Sequence, residues 1–419
     1  MSQDVLNEVL KRRGAENCKN PSLESLLSAL EVCGHPEKSV HTLVIGGTNG
    51  KGSTALLIGS TLSLAGYNVG NYLSPHLCHP SERFLRNMEP ESAVTLGALA
   101  EEFEPTAEKY QLSYFEFLTL LAFIWAKRAK LDFLILEVGL GGRFDATNVT
   151  DPLAVAITNI GLDHTEILGP THSHILKEKM GIIPKEGLVF TGIVEPDLKK
   201  ELEEYCETLD SIYYYMDQVK TRVLSECLGH QSLYINEYEF ELNLPGQAAR
   251  NNAALAFLLL RVVFPKLSMK TLQEGFKRVK VPGRLEQVSP NVILSGDHNW
   301  EGLQSTMSFL RESFSGKLRV VCGFGDDKPW EKMLKLIENE SIDYQLVPVK
   351  GRNPSKNPNY LNHEKFCSSP LQALEQQRGL LKEGEMLLVT GSLYLVAELY
   401  PQFRASVRFL NDTEEAVLV

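Results

Sequence analysis

Ile45-Gly46-Gly47-Thr48-Asn49-Gly50-Lys51-Gly52-Ser53 is the stretch on which the reading of this chain turns. An apolar run, Thr42 to Ile45, leads into it and predicts a buried strand. A helical stretch, Ser53 to Ala65, leads out and stops at Gly66. Strand, glycine-rich turn, lysine, hydroxyl and helix in that order make a cradle for a triphosphate. The glycines let backbone N–H groups curl around phosphate oxygens, and the helix N-terminus adds partial positive charge. Lys51 adds a full charge, and a hydroxyl reaches Mg²⁺. The spacing departs from the standard loop, which has a longer gap before its Gly-Lys pair and a hydroxyl residue directly after the lysine. Here Gly52 separates Lys51 from Ser53. The departure points to a particular subclass of ATPase; the plain alternative is a glycine-rich turn with an exposed lysine.

The 419 residues exceed one ordinary core and predict two domains. Composition is globular, at 43% hydrophobic and 23% charged. A net charge of −11 argues against a general nucleic-acid binder, which needs a basic face. It leaves room for anionic small substrates in a local basic pocket. The seven cysteines are scattered with no Cys-x-x-Cys, which predicts reduced thiols in a cytoplasmic protein. Met1 to Arg13 has no apolar segment of the secretory kind. The longest apolar stretches, Leu118 to Ala126 and Ala253 to Leu260, are too short to span a bilayer, so no membrane partner is expected. A single acidic chain of this kind is expected to be monomeric.

Strand–helix alternation continues on both sides of the loop. Residues 22 to 33 read as a helix ended by Gly34 and Pro36. Tyr67 to Leu73 reads as a strand followed by Ser74-Pro75-His76, whose plain reading is a turn with an exposed histidine; Glu82 and Arg83 follow in a polar loop. Ser113 and Glu116 form a capping box before a helix that is apolar on most sides. Leu131 to Val138 is a continuous apolar strand with Glu137 near its carboxyl end, followed by Gly139-Leu140-Gly141-Gly142-Arg143. An acid there suits Mg²⁺; the alternative is a pair with Arg143. The glycines allow close approach of a ligand to backbone. Leu153 to Asn159 is another buried strand, with Asp163 and His164 just beyond it. Ligands of open parallel sheets bind at the carboxyl edge, so Ser74, Glu137 and His164 are candidates to converge there. Glu178 and Lys179 lie on a short polar helix, where a solvated charged face is the plain reading.

Residues 187 to 244 change character, with alternation over Ser232 to Leu242 that suggests antiparallel strands. Pro245-Gly246 ends that section, and Asn251 to Phe264 returns to apolar helix. Val281 to Glu286 looks like a linker. Beyond it strands and helices alternate again to Tyr400. The expected fold is α/β: a P-loop ATPase-like domain with a mostly parallel sheet over residues 1–284, and a smaller Rossmann-like α/β domain over 285–419.

Gly-Thr-Asn-Gly-Lys-Gly-Ser at 47 to 53 is close to a family signature. Four further stretches accompany it in order: Leu73-Ser74-Pro75-His76-Leu77, Tyr114-Phe115-Glu116, Glu137 through Asn148, and Gly161-Leu162-Asp163-His164. Together they resemble folylpolyglutamate synthase/dihydrofolate synthase, the folate branch of the Mur ligase superfamily. The match is dense from about residue 42 to 184 and resumes at Pro282 to Glu286 and Gly391 to Leu395.

The resemblance implies that ATP, a dihydropteroate or folate carboxylate and L-glutamate give an amide, ADP and phosphate. It implies that Thr48, Asn49, Gly50, Lys51, Gly52 and Ser53 hold the triphosphate. Ser74, Glu137 and His164 are implied as Mg²⁺ ligands, with Lys51, Lys179 and His164 in catalytic roles. Lys179 matches a lysine that carries a carbamate in relatives and organises a second Mg²⁺. The pterin pocket carries over to Ser113, Tyr114, Phe115 and Glu116, to Phe144, Asp145 and Ala146, and to Asn20, Pro21 and Ser22. Asn252, Arg284, Ser295 and His298 match nucleotide-binding positions. Some residues depart from the family's pattern. Its Asp-Gly-Ala-His-Asn appears as Ser295-Gly296-Asp297-His298-Asn299, moving the acid two residues on, where strand-side geometry argues against substitution. Its His-Gln pair before Asn252 is Ala248-Ala249, and its Asp-Lys-Asp is Asp327-Lys328-Pro329. Two other readings stand beside this one: a Mur-type ligase for a peptidoglycan precursor, against which Tyr114 to Glu116 and Phe144 to Ala146 argue, and a nucleotide-binding homologue without ligase activity.

Overall fold

The computed structural model describes residues 4–13, 22–351, 355–404 and 407–410. Its largest sheet contains β1 (His41–Gly46), β2 (Val69–Tyr72), β3 (Phe84–Arg86), β4 (Glu89–Pro90), β5 (Phe133–Glu137), β6 (Ala154–Ile157), β7 (Leu188–Thr191) and β8 (Ile212–Tyr215). The strand order is β4-β3-β2-β5-β1-β6-β7-β8. From β2 to β8 every neighbouring pair is parallel, and β3 pairs antiparallel with both β2 and β4. Parallel strands covered on both faces have no polar side, which is why β5 reads as an apolar run up to Glu137, with every residue buried. A three-stranded sheet follows, with β9 (Thr221–Cys227), β10 (His230–Ile235) and β11 (Tyr238–Leu242). The last sheet holds β12 (Glu286–Ser289), β13 (Val292–Ser295), β14 (Lys317–Cys322), β15 (Asp343–Leu346) and β16 (Glu385–Thr390), in the order β12-β13-β16-β14-β15.

The helices that frame the first sheet include α1 (Val5–Arg12), α2 (Glu24–Val32), α3 (Lys51–Leu64), α4 (Ala93–Lys109), α5 (Tyr114–Arg128), α6 (Thr165–Leu168), α7 (His172–Met180) and α8 (Pro196–Thr208). Later come α9 (Gly246–Val263), α10 (Met269–Arg278) and α11 (Trp300–Ser313). Phe117 to Ala126 of α5 are all buried, as an all-round apolar helix requires. Its capping box is present: Ser113 Oγ accepts from Glu116 N–H at 3.3 Å, and Glu116 Oε2 accepts from Ser113 N–H at 2.8 Å.

Some boundaries differ from the sequence reading. Helix α3 begins at Lys51 instead of Ser53, because Gly50 at φ +84° turns the chain into the helix. Gly246 opens α9 where a break was expected, and Glu226 Oε1 accepts its N–H at 2.7 Å. Val281 to Glu286 is more than a linker: Glu286 starts β12, which pairs antiparallel with β13.

Two compact units emerge. The first comprises 1–221, 235–240 and 251–279; the second comprises 222–234, 241–250 and 280–419. The first has its core around α5 and the large sheet, including Leu118, Leu121, Leu134, Leu136 and Val155. The second has its own core, including Ile293, Leu310, Val320, Leu346 and Leu388. Among the described residues no helix is long and apolar enough to cross a membrane.

Candidate active site at the carboxyl edge of the large sheet

The strand order brings the chain segments after β2, β5, β1 and β6 side by side at one edge. Ser74 follows β2, Glu137 ends β5, the glycine-rich loop follows β1, and His164 follows β6. Four sequence-distant motifs are thus collected by parallel pairing alone.

Within the loop, no side chain caps the N-terminus of α3. A helix leaves its first amides without intrahelical partners, so those of Lys51, Gly52 and Ser53 suit an anion. The amides of Thr48 and Asn49 do other work. They donate to the carbonyl of Asn159 at 3.0 Å and to its Oδ1 at 2.9 Å. The Thr48 hydroxyl bonds to Gly161. The expectation that these two residues wrap phosphate with their N–H groups is therefore corrected: they anchor the loop to the segment after β6. The side chain of Asn252 packs against Gly50, where an added Cβ would lie 2.2 Å from its Oδ1.

Lys51 Nζ donates to the carbonyls of Gly47 at 3.2 Å and Thr48 at 3.0 Å. Lys179 Nζ donates to the same Gly47 carbonyl at 2.7 Å. Lys179 is only 4% exposed, so the solvated-face reading fails. Burial, and next the charge of Lys51, push its pKa down to about 7, while Asp163 and Asp145 pull it up.

Glu137 is 6% exposed and accepts from Ser74 N–H at 2.9 Å. Its carboxylate lies against Gly52, where an added Cβ would sit 3.2 Å from Oε2. The exposed Arg143 donates instead to the carbonyl of Lys177 at 3.5 Å. His164 takes a left-handed backbone, φ +50°, ahead of α6. Among the described residues no cluster of three or more His, Cys, Asp and Glu side chains gathers as a metal site. One carboxylate, with a hydroxyl and an imidazole on segments at the same sheet edge, suits an ion that keeps water and phosphate oxygens as its other ligands. That is the habit of Mg²⁺, so these residues fit it.

The candidate pterin-binding residues divide. Tyr114 and Phe115 are half-buried, and Phe115 stacks on Tyr72 at 5.9 Å. Asp145 is 5% exposed, and protein donors fill its carboxylate. Oδ2 accepts from Gly139 and Leu140 N–H at 3.0 and 2.9 Å, and Oδ1 from Thr147 N–H and Oγ1 at 3.0 and 2.6 Å. Its expected part as an acceptor for substrate is corrected to that of a loop organiser. Ala146 is buried in the core and Phe144 is exposed. The glycines after Glu137 serve protein contacts, contrary to the ligand-approach reading: a Cβ on Gly142 would meet the Glu178 carbonyl at 2.6 Å. Ser22 is exposed; Asn20 and Pro21 lie outside the described residues.

Sequence reasoning passed over several contributors. Arg83, expected in a polar loop, is 1% exposed, with its guanidinium 5.7 Å from the Tyr114 ring centroid. Its Nε donates to His76 Nδ1 at 2.9 Å. Burial, then the charges of Arg83 and His79, drive the His76 pKa down to about 3, so this ring stays neutral. Thr158 and Asn159 hold the phosphate loop; the sequence reading places them inside the strand Leu153 to Asn159, whereas β6 ends at Ile157.

In the second unit, Arg284, Ser295 and His298 surround Gly296. Arg284 Nη1 donates to the Gly296 carbonyl at 2.9 Å, and His298 Nδ1 lies 3.3 Å from it. Ser295 Oγ donates to Asp297 Oδ2 at 2.7 Å, and Thr306 Oγ1 donates to the same oxygen at 2.8 Å. The strand-side objection to Asp297 does not apply: β13 ends at Ser295, and beyond it the chain turns the Asp297 carboxylate back to the Ser295 side chain.

Comparison with known proteins agrees with this geometry. Residues 45–260 match the model of the Mur ligase middle domain. The dihydrofolate synthase/folylpolyglutamate synthase of Bacillus subtilis is 33% identical over 410 residues, covering 90% of this chain and 94% of that protein. Its namesake in Escherichia coli is 33% identical over 364 residues, covering 84% of each. Among solved structures, Escherichia coli FolC in complex with ADP superposes with a TM-score of 0.84 at 29% identity, covering 96% of this chain and 97% of that one. Folylpolyglutamate synthase from Thermotoga maritima gives 0.82 at 31% identity, covering 95% and 96%. The chain belongs to the folylpolyglutamate synthase/dihydrofolate synthase family of ATP-dependent Mur-type ligases.

Proposed function

We propose that this chain joins L-glutamate to dihydropteroate, to the γ-carboxylate of a folate, or to both, with ATP cleaved to ADP and phosphate. The observation that carries the proposal is the approach of the buried Glu137 carboxylate to Gly52, beside Lys51, at the edge where Ser74 and His164 follow their strands. Among solved relatives is a bifunctional folylpolyglutamate synthase/dihydrofolate synthase with Mn, AMPPNP and L-glutamate bound, at a TM-score of 0.83 and 29% identity.

A carboxylate is a poor acyl donor, so the substrate carboxylate first takes the γ-phosphoryl group and becomes an acyl phosphate. The glutamate amine then attacks that carbonyl and inorganic phosphate leaves. Most of the rate comes from alignment and from neutralising charge on the transferring phosphoryl group. Lys51 and the amides at the start of α3 bind the phosphates. Ser74, Glu137 and His164 would hold Mg²⁺, which would supply positive charge to neutralise the phosphates. Tyr114 and Phe115 offer the pterin a stacking surface beside the Arg83 guanidinium. Arg284, His298 and, through Asp297, Ser295 are assigned to the nucleotide, as is Asn252.

Lys179 is assigned the carbamate. Carbamate formation needs a neutral amine, and a pKa near 7 supplies one at neutral pH. Lys179→Ala is expected to lose most activity and to regain part of it with small carboxylates; wild-type rates without rescue would return Lys179 to a structural role. Dispersed free cysteines accord with a cytoplasmic setting.

The deciding experiment supplies ATP, Mg²⁺ and L-glutamate with dihydropteroate or tetrahydrofolate in separate assays. ADP release that requires both glutamate and one acceptor supports the ligase. ADP released without either, or never, overturns it.

A further inference from the structure

The segment from Thr158 to His164 carries a candidate metal ligand, and it also holds the phosphate loop. Thr158 N–H donates to the Gly46 carbonyl at 3.0 Å, and its Oγ1 donates to the Asn49 carbonyl at 2.6 Å. Asn159 accepts twice, through its carbonyl from Thr48 N–H and through Oδ1 from Asn49 N–H. Gly161 engages Thr48 in both directions. Its N–H donates to Thr48 Oγ1 at 3.0 Å, and its carbonyl accepts from the same hydroxyl at 3.2 Å. A hydroxyl that both donates to and accepts from one backbone residue is fixed in a single rotamer. His164 lies three positions beyond Gly161.

We propose that Thr48 and Asn159 are positioning residues that set the distance between the phosphate loop and His164, so that nucleotide and divalent cation bind with positive coupling. The proposal rests on the ligase reading above. Thr48 and Gly161 lie 113 positions apart in the chain, and beyond the β1–β6 pairing their loops are tied by these bonds. Whatever orders the phosphate loop therefore orders the His164 segment through these bonds. A cation that binds afterwards meets a segment already in place. The coupling is reciprocal, because linkage between two binding equilibria has no direction. Thr48 serves this purpose with its hydroxyl and amide turned toward protein partners, so neither group has to touch phosphate.

The test is calorimetric titration of the full chain. Mn²⁺ is titrated with and without saturating ADP, and ADP with and without Mn²⁺. The variants are Thr48→Val, Thr48→Ser and Asn159→Ala, each first checked for an unchanged thermal melt. Direct contact between ADP and Mn²⁺ contributes to coupling in every variant, so the comparison is among variants. Thr48→Val and Asn159→Ala are expected to lower the coupling factor by about fivefold or more. Affinity for Mn²⁺ alone should stay within about twofold of wild type, and Thr48→Ser should restore the coupling. Wild-type coupling in both Thr48→Val and Asn159→Ala overturns the proposal. So does a Thr48→Ser variant as impaired as Thr48→Val, which would assign the effect to packing of the methyl group. If Thr48→Val does not fold, Asn159→Ala, whose side chain is exposed, carries the test alone. Wild-type protein that binds neither ADP nor Mn²⁺ would count against the ligase reading itself.

Discussion

At the scale of single residues, Gly52 explains the irregular phosphate loop. A side chain there would press on Glu137 Oε2 at 3.2 Å, so the extra glycine between Lys51 and Ser53 is the space the carboxylate occupies. Gly52→Ala is expected to raise the Mg²⁺ concentration for half-maximal activity by about tenfold, since the carboxylate must shift by a few tenths of an ångström. The melting temperature should hold or rise, because alanine is the better helix former by about 1 kcal/mol. A variant with unchanged Mg²⁺ dependence would remove Glu137 from the metal site. Lys179 makes a second case. Its pKa falls from the ordinary lysine range to about 7 on folding, so between pH 7 and the unfolded value the unfolded chain binds more protons. The cost of burying the charge is thus full below pH 7 and fades as pH rises toward 10. In carbonate-free buffer without ligands, wild type should gain stability relative to Lys179→Met over that range, by an amount on the order of a few kcal/mol. Parallel pH profiles in denaturant titrations would show that the lysine is not desolvated.

At the scale of elements, the loop from Gly139 to Gly142 is organised by one carboxylate. Asp145 receives three amides and the Thr147 hydroxyl, and burial raises its pKa despite them. Asp145→Ala strands one buried and two half-buried amides and should cost roughly 3 kcal/mol in urea unfolding. A residue that merely touched substrate would leave stability unchanged. Here lies the limit of what sequence can tell. Strands β1, β5 and β6, the helix after the loop and the α5 capping box were legible because periodicity, glycine and cap residues are local signals. So were Ser74, Glu137 and His164 as a strand-edge set, since parallel strands align their carboxyl ends. The burial of Lys179 and Arg83 was not legible, because each depends on contacts distant in the chain. A glycine that admits ligand and one that admits another helix also look alike in sequence. Gly142, pressed against the backbone of α7, is of the second kind.

At the scale of the whole molecule, the second unit takes chain from well before the linker. Residues 222–234 and 241–250 group with 280–419, although their sequence position suggests membership of the first domain. Leu228 packs against the core that contains Ile293, Leu310 and Leu388, as does Leu285. A polar network secures the same region. Arg250 Nη1 bonds to Glu226 Oε1 at 2.6 Å and to Gln231 Oε1 at 3.0 Å, and Gln231 Nε2 donates to the Leu244 carbonyl at 2.5 Å. Periodicity could not reveal this grouping, because a leucine at a hairpin turn carries no mark of the core it will join. Leu228→Asp in the full chain places an unpaired charge against that core and should destabilise the second unit by about 2 kcal/mol. The effect should be local, since cores open as separate cooperative units. Hydrogen exchange should quicken by about 30-fold in the amides of α11, β14 and β16 while those of β1, β5 and α5 keep their wild-type rates. Faster exchange in β1 and β5 alone would instead attach Leu228 to the first unit and move the division of the chain.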